Sequence, residues 1–152
     1  MSTFEIFNLM YLVLEELNEE NKDENVSTYL SEANPYIWEG ENSGDPAVFY
    51  EFKKSFEEKG SFDDYGYDFI VDYLTNIDYY EGLIEIFKTL TREEYVDTCD
   101  HIIKEQPQIL KKTSWFFEYV YSFLRQLEND KVSYFDTFFC LTKQKREFPL
   151  FK

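Results

Sequence analysis

Asp64, Asp68 and Asp72 recur at steps of four residues, and Glu93, Asp97 and Asp100 at steps of four and three. On helices, such spacings line each set along one stripe. Like charges so placed cost about 0.2–0.5 kcal/mol per pair. No Lys or Arg stands between them to offset that cost. Three uses fit the pattern: a solvated helix face, a surface for a basic partner, or a divalent cation site. The last wants oxygens converging from loops or several elements, which one helix stripe does not supply. No metal is expected.

Catalytic chemistry has little material here. The single histidine, His101, follows Cys99 by two residues, so on a helix their side chains point about 200° apart and cannot act as base and nucleophile. A zinc site needs more Cys or His than the chain holds. Thirty-one acids allow carboxylate pairs of glycosidase type in countless ways, which makes any one pair uninformative. Phosphate-loop, dinucleotide, zinc-protease and serine-hydrolase motifs are missing from the sequence. The expectation is a non-enzyme with no catalytic residues and no cofactor.

Four aromatic residues are harder to place on a core face. Tyr36 and Trp38 stand beside Glu39 and Glu41 in a turn-rich stretch, and Tyr79 and Tyr80 lie between Asp78 and Glu81. Aromatics flanked by carboxylates match the anchor-plus-charge chemistry of interface hot spots. The plainer alternative is that they seal gaps between helices.

The elements that must position these groups read as helical. Ile6, Met10, Val13 and Leu17 repeat at three- and four-residue steps after Ser2 or Thr3, either of which can cap a first helix. The acidic stretch 19–25 reads as a loop, and a short apolar piece around Tyr29 and Leu30 precedes Asn34-Pro35. Asp45-Pro46 is a helix start, with Val48, Phe49, Phe52 and Phe56 on one face and Gly60 as the stop. Further helices are expected over 64–76, 79–90, 92–105, 114–128 and 133–143. Thr91 and Glu94 have capping-box spacing, and Pro107 opposes helix continuation. Strand alternation and hairpin dipeptides are lacking. The chain is therefore expected to be all-α: one acidic domain over 1–152, with about seven helices in a compact bundle or a short solenoid-like stack.

Charge is distributed unevenly. Residues 1–50 hold eleven acids against one base (Lys22), residues 51–100 fourteen against five, and residues 101–152 six against nine, for a net charge of −16. A hydrophobic share of 43% with 20% aromatics excludes a disordered acidic tail. The apolar run from Phe4 to Leu14 has no basic flank, is broken by Glu5, and is too short to span a bilayer. A cytoplasmic protein is expected, with no membrane association and with Cys99 and Cys140 reduced. The short basic run Lys143–Arg146 suits a helix C-terminus, and the acidic body repels phosphate, so nucleic acid is not an expected partner.

In size, acidity, aromatic content and lack of catalytic motif, the chain resembles the immunity proteins of bacterial polymorphic-toxin and contact-dependent systems. That resemblance implies tight binding to a basic cognate toxin domain. The binding face then falls on Trp38, Glu39, Glu41, Asp64, Asp68, Asp72, Tyr79, Tyr80, Glu93, Asp97 and Asp100. A DNA mimic is an alternative, although carboxylates about 6 Å apart along a helix are sparse beside a phosphate every ~3.4 Å of strand. A non-catalytic structural or adaptor domain is another. The partner's identity, the oligomeric state and any meeting of the two cysteines stay open.

Overall fold

The computed structural model describes residues 1–105 apart from Glu39, Asp78 and Tyr79, together with Pro107 and Leu110. The expected helices over 114–128 and 133–143, Cys140 and the Lys143–Arg146 run lie outside the described residues. Within them the chain is all-α, as expected: six α-helices and one 3-10 turn, with no strand among the described residues.

Helix α1 (Thr3–Glu20) begins in a reciprocal cap. The Glu5 amide donates to Ser2 Oγ and the Ser2 amide to Glu5 Oε1, each at 3.2 Å. The sequence suggests one apolar stripe on this helix, but every residue from Ile6 to Glu15 is buried. A helix apolar on all sides belongs at the centre of a fold. Accordingly α1 touches α2 (Glu24–Ala33), α3 (Pro46–Lys59), α5 (Leu83–Phe87), α6 (Arg92–Glu105) and the 3-10 turn Asp63–Gly66. The arrangement is a bundle around one helix. A stack in which each helix meets only its sequence neighbours does not describe it.

The acidic stretch 19–25 is less of a loop than its composition suggests. α1 runs through Glu20 and α2 starts at Glu24, which leaves only residues 21–23 between them. Asn18 closes this corner by accepting from the Asp23 amide and donating to Ser27 Oγ, at 2.9 and 3.0 Å. Asp23 caps α2, whose Val26, Tyr29, Leu30 and Ala33 form the buried face at helical spacing.

Asp45 caps α3 and Pro46 opens it, as the sequence predicts. The buried Phe49, Phe52 and Phe56 feed an aromatic cluster. Phe52 meets Phe7, Phe69 and Tyr73 at ring separations of 5.1, 5.3 and 5.0 Å, all edge-on. Such pairs add about 0.5–1.5 kcal/mol beyond their area burial.

Two further expectations are corrected. The helix placed over 64–76 begins only at Tyr67: α4 spans Tyr67–Thr75, and before it the backbone is left-handed at Asp64 (φ 51), Tyr65 (φ 54) and Gly66 (φ 75). The helix placed over 79–90 is the five-residue α5. α6 matches its expected span. Its first turn is closed by Thr91 and Glu94, which exchange amide-to-side-chain bonds at 3.1 Å. Pro107 and Leu110 beyond it are also helical.

Candidate protein-binding surface

The acids singled out in the sequence separate into two groups. Asp68 and Asp72 sit on α4, whereas Asp64 belongs to the left-handed turn, so the three do not form one helix stripe. Their charge is also offset within the chain, by cations that the local sequence does not contain. Arg92 Nη1, from the start of α6, donates to Asp64 Oδ2 at 3.1 Å, and Nη2 donates to Asp68 Oδ1. Lys59 Nζ at the end of α3 lies 3.4 Å from Asp72 Oδ2. The carboxylates of Asp68 and then Asp64 raise the basicity of Arg92 further.

On α6, the Asp100 carboxylate accepts from the Tyr65 hydroxyl. That bond, followed by burial, pushes the Tyr65 phenol up to about 12. Glu93 and Asp97 are exposed on the same helix, and the ion pairs among the described residues engage neither.

The aromatics divide just as sharply. Tyr36 is core, 1% exposed, with its hydroxyl donating to Asn8 Oδ1 at 2.7 Å. Tyr80 is half-buried against Tyr29 (ring separation 5.4 Å), and its hydroxyl donates to Glu32. It therefore seals a gap between helices. Trp38 is 46% exposed. Glu39 and Tyr79 lie outside the described residues.

Trp38 does not dangle. Its indole N–H donates to the Gly44 carbonyl at 3.2 Å. Gly44 itself lies flat on α2, where a β-carbon would stand 2.6 Å from the Ser31 carbonyl oxygen. The adjacent Asp45 amide donates to the Glu32 carbonyl at 2.8 Å. Tyr36 fastens the other end of the loop to α1. The buried Ser43 hydroxyl accepts from the Phe49 amide at 2.9 Å and ties the loop to α3. An indole is thus displayed on a fastened loop, with exposed Glu41 and Asp45 in the same segment. The sequence flags Trp38, but the bonds that fasten its loop have no periodic signature.

Between α3 and α4 lies a groove of about 300 Å³, lined by Glu51, Ser55, Lys59, Asp72, Tyr73 and Asn76. Burial pushes the Tyr73 phenol up to about 12, with the bond from Tyr29 opposing the rise. Cys99 is a buried thiol, also raised to about 12 by burial, and His101 is exposed. Among the described residues, no group of three or more His, Cys, Asp or Glu side chains is placed to hold a metal ion. Nor is any helix among them long and apolar enough to cross a membrane.

No protein-family model matches this chain, and no curated protein or solved structure matches it.

Proposed function

We propose that this chain is an inhibitory binding protein of the immunity type, which neutralises a basic partner such as a cognate toxin domain. The observation that carries the reading is Trp38: a half-exposed indole on a fastened loop, in a fifty-residue stretch with eleven acids and one base. A fixed aromatic loses little conformational freedom when it docks, and large rigid aromatics supply much of the energy at interface centres. The surrounding negative field steers a basic partner toward it and raises the association rate.

The proposal rests on Trp38 and Glu41 of the fastened loop, with Glu39 between them in sequence, while Glu93 and Asp97 are acids of α6 that the ion pairs among the described residues leave to the negative field. Asp64, Asp68, Asp72 and Asp100 have contacts within the chain, so their charge is less available to steer a partner.

Capture from a lysate of the source organism tests this reading, with wild-type and Trp38→Ala proteins immobilised side by side and washed at low and then high salt. The expected result is one basic protein that wild type retains through the high-salt wash and the variant loses. A ladder of DNA-binding proteins shed as salt rises would replace the reading with the DNA-mimic one. An empty wild-type column, or equal retention by both columns, would overturn it.

A further inference from the structure

The guanidinium of Arg92 sits in a built cradle. Nη1 lies 3.1 Å from Asp64 Oδ2 and 3.3 Å from Asp68 Oδ2, and Nη2 donates to the other oxygen of Asp68. The guanidinium carbon is 4.7 Å from the centroid of the Tyr67 ring. Two carboxylates meeting the planar fork, with an aromatic face beneath, are the groups that recognise arginine in preference to lysine.

This occupant is loosely held. The side chains of Arg92, Asp64 and Asp68 are 44, 46 and 78% exposed, and ion pairs that face water are weak.

The walls of the cradle have other supports. The Tyr95 hydroxyl donates to the Tyr65 carbonyl at 2.9 Å, and the Tyr65 hydroxyl donates to Asp100, so the left-handed turn below Asp64 is held twice without Arg92. The Tyr67 ring rests against Phe87 and Tyr95, at 5.7 and 5.6 Å.

We infer that Asp64, Tyr67 and Asp68 form a guanidinium-binding site, which Arg92 fills in the free chain and an arginine of a partner enters by displacing it. The incoming side chain meets the same three groups that Arg92 leaves. What it must overcome is the local concentration of a tethered competitor, in the millimolar range or above for a short connection. Arg92 is then an autoinhibitory contact that screens out weak cationic partners. Use of the site by a partner rests on the binding-protein reading above, whereas the chemistry of the cradle stands apart from it.

The test is an NMR titration of wild type and Arg92→Ala with N-acetyl-arginine amide and, separately, N-acetyl-lysine amide. In the variant, the amides of residues 63–68 are expected to respond to the arginine ligand at concentrations at least about tenfold lower than in wild type. The lysine ligand should give a weaker response, and adding Asp68→Asn should remove the gain. Equal responses from wild type and variant, or from arginine and lysine, would overturn the proposal. So would loss of the left-handed turn in the unliganded variant, since Arg92 would then be a strut. If Arg92→Ala does not fold, Arg92→Lys takes its place, with a smaller gain expected and the same outcomes decisive. A positive titration beside an empty capture column would keep the site and remove the partner reading.

Discussion

The Tyr36 hydroxyl donates to the Asn8 side chain at 2.7 Å, and neither residue is more than 1% exposed. One bond therefore joins the loop that displays Trp38 to the innermost helix. Removing it takes away one hydrogen bond between two buried side chains, which costs about 0.5–1.5 kcal/mol. Tyr36→Phe is expected to lower unfolding stability by that amount in urea denaturation. A loss below about 0.5 kcal/mol would show that the bond contributes little to the fold.

Phe52 sits where α1, α3 and α4 meet, fully buried and in ring contact with Phe7, Phe69 and Tyr73. Phe52→Ala leaves a cavity that this crowded cluster closes only in part, and a loss of about 3–5 kcal/mol is expected. Phe62, 52% exposed, makes a control whose truncation should cost under about 1 kcal/mol. Thermal unfolding of both variants checks the contrast, and similar losses would place the core elsewhere.

The left-handed turn supplies a pair of opposite signs. Gly66 has φ 75, and a β-carbon there would stand 3.0 Å from Ile6 Cγ2, so Gly66→Ala should cost about 1–2 kcal/mol. Asp64 adopts the same region with a side chain, and Asp64→Gly removes that strain while giving up only an exposed ion pair. Its melting temperature is expected to equal or exceed that of wild type. A clear fall for Asp64→Gly would mean that its pair with Arg92 outweighs the strain.

Part of this architecture is legible in the residues themselves. Local chemistry reads directly: Asp45 with Pro46 and Thr91 with Glu94 each mark a helix start that the structure contains, and of the two cap candidates before α1 the structure uses Ser2. The turn at Asp64 does not read, because its acids and the apolar Phe69 and Ile70 also suit a helix continued backward. Gly66 is the one hint to the contrary. Nor does the partnership of Arg92 with acids 24 and 28 residues earlier, since periodicity reports the faces of a helix and not what another helix brings to them. In α1 the three- and four-residue stripe obscures a plainer signal: Phe4, Phe7, Leu9, Leu12 and Leu14 place apolar groups on every side. The exposed Trp38 is legible as a loop aromatic, whereas the buried Tyr36 two residues earlier looks the same in sequence.

Alkali should unfold the chain cooperatively. Burial pushes Tyr73 and Tyr80 up to about 12, the bond to Asp100 does so for Tyr65, and burial raises Cys99 to about 12. The fold keeps these protons, while the unfolded chain releases them near 10 for tyrosine and 8.5 for cysteine. The stabilisation is therefore complete below about pH 8.5 and falls progressively toward about pH 12. Helical circular dichroism and phenolate absorbance, followed together through this range, are expected to change in one shared transition. Phenolate formation by all thirteen tyrosines with the helices intact would refute the assignment.

Helix α1 is synthesised before each of the elements that cover it. From Glu20 to the end of α6 at Glu105 is a further 85 residues, about 4–17 s of synthesis at ~5–20 residues per second. For that interval the most deeply buried helix of the bundle has no native surface to lie against. Its safety in the cell then depends on whatever shields it as it emerges, and slower translation lengthens that dependence while leaving the finished fold unchanged.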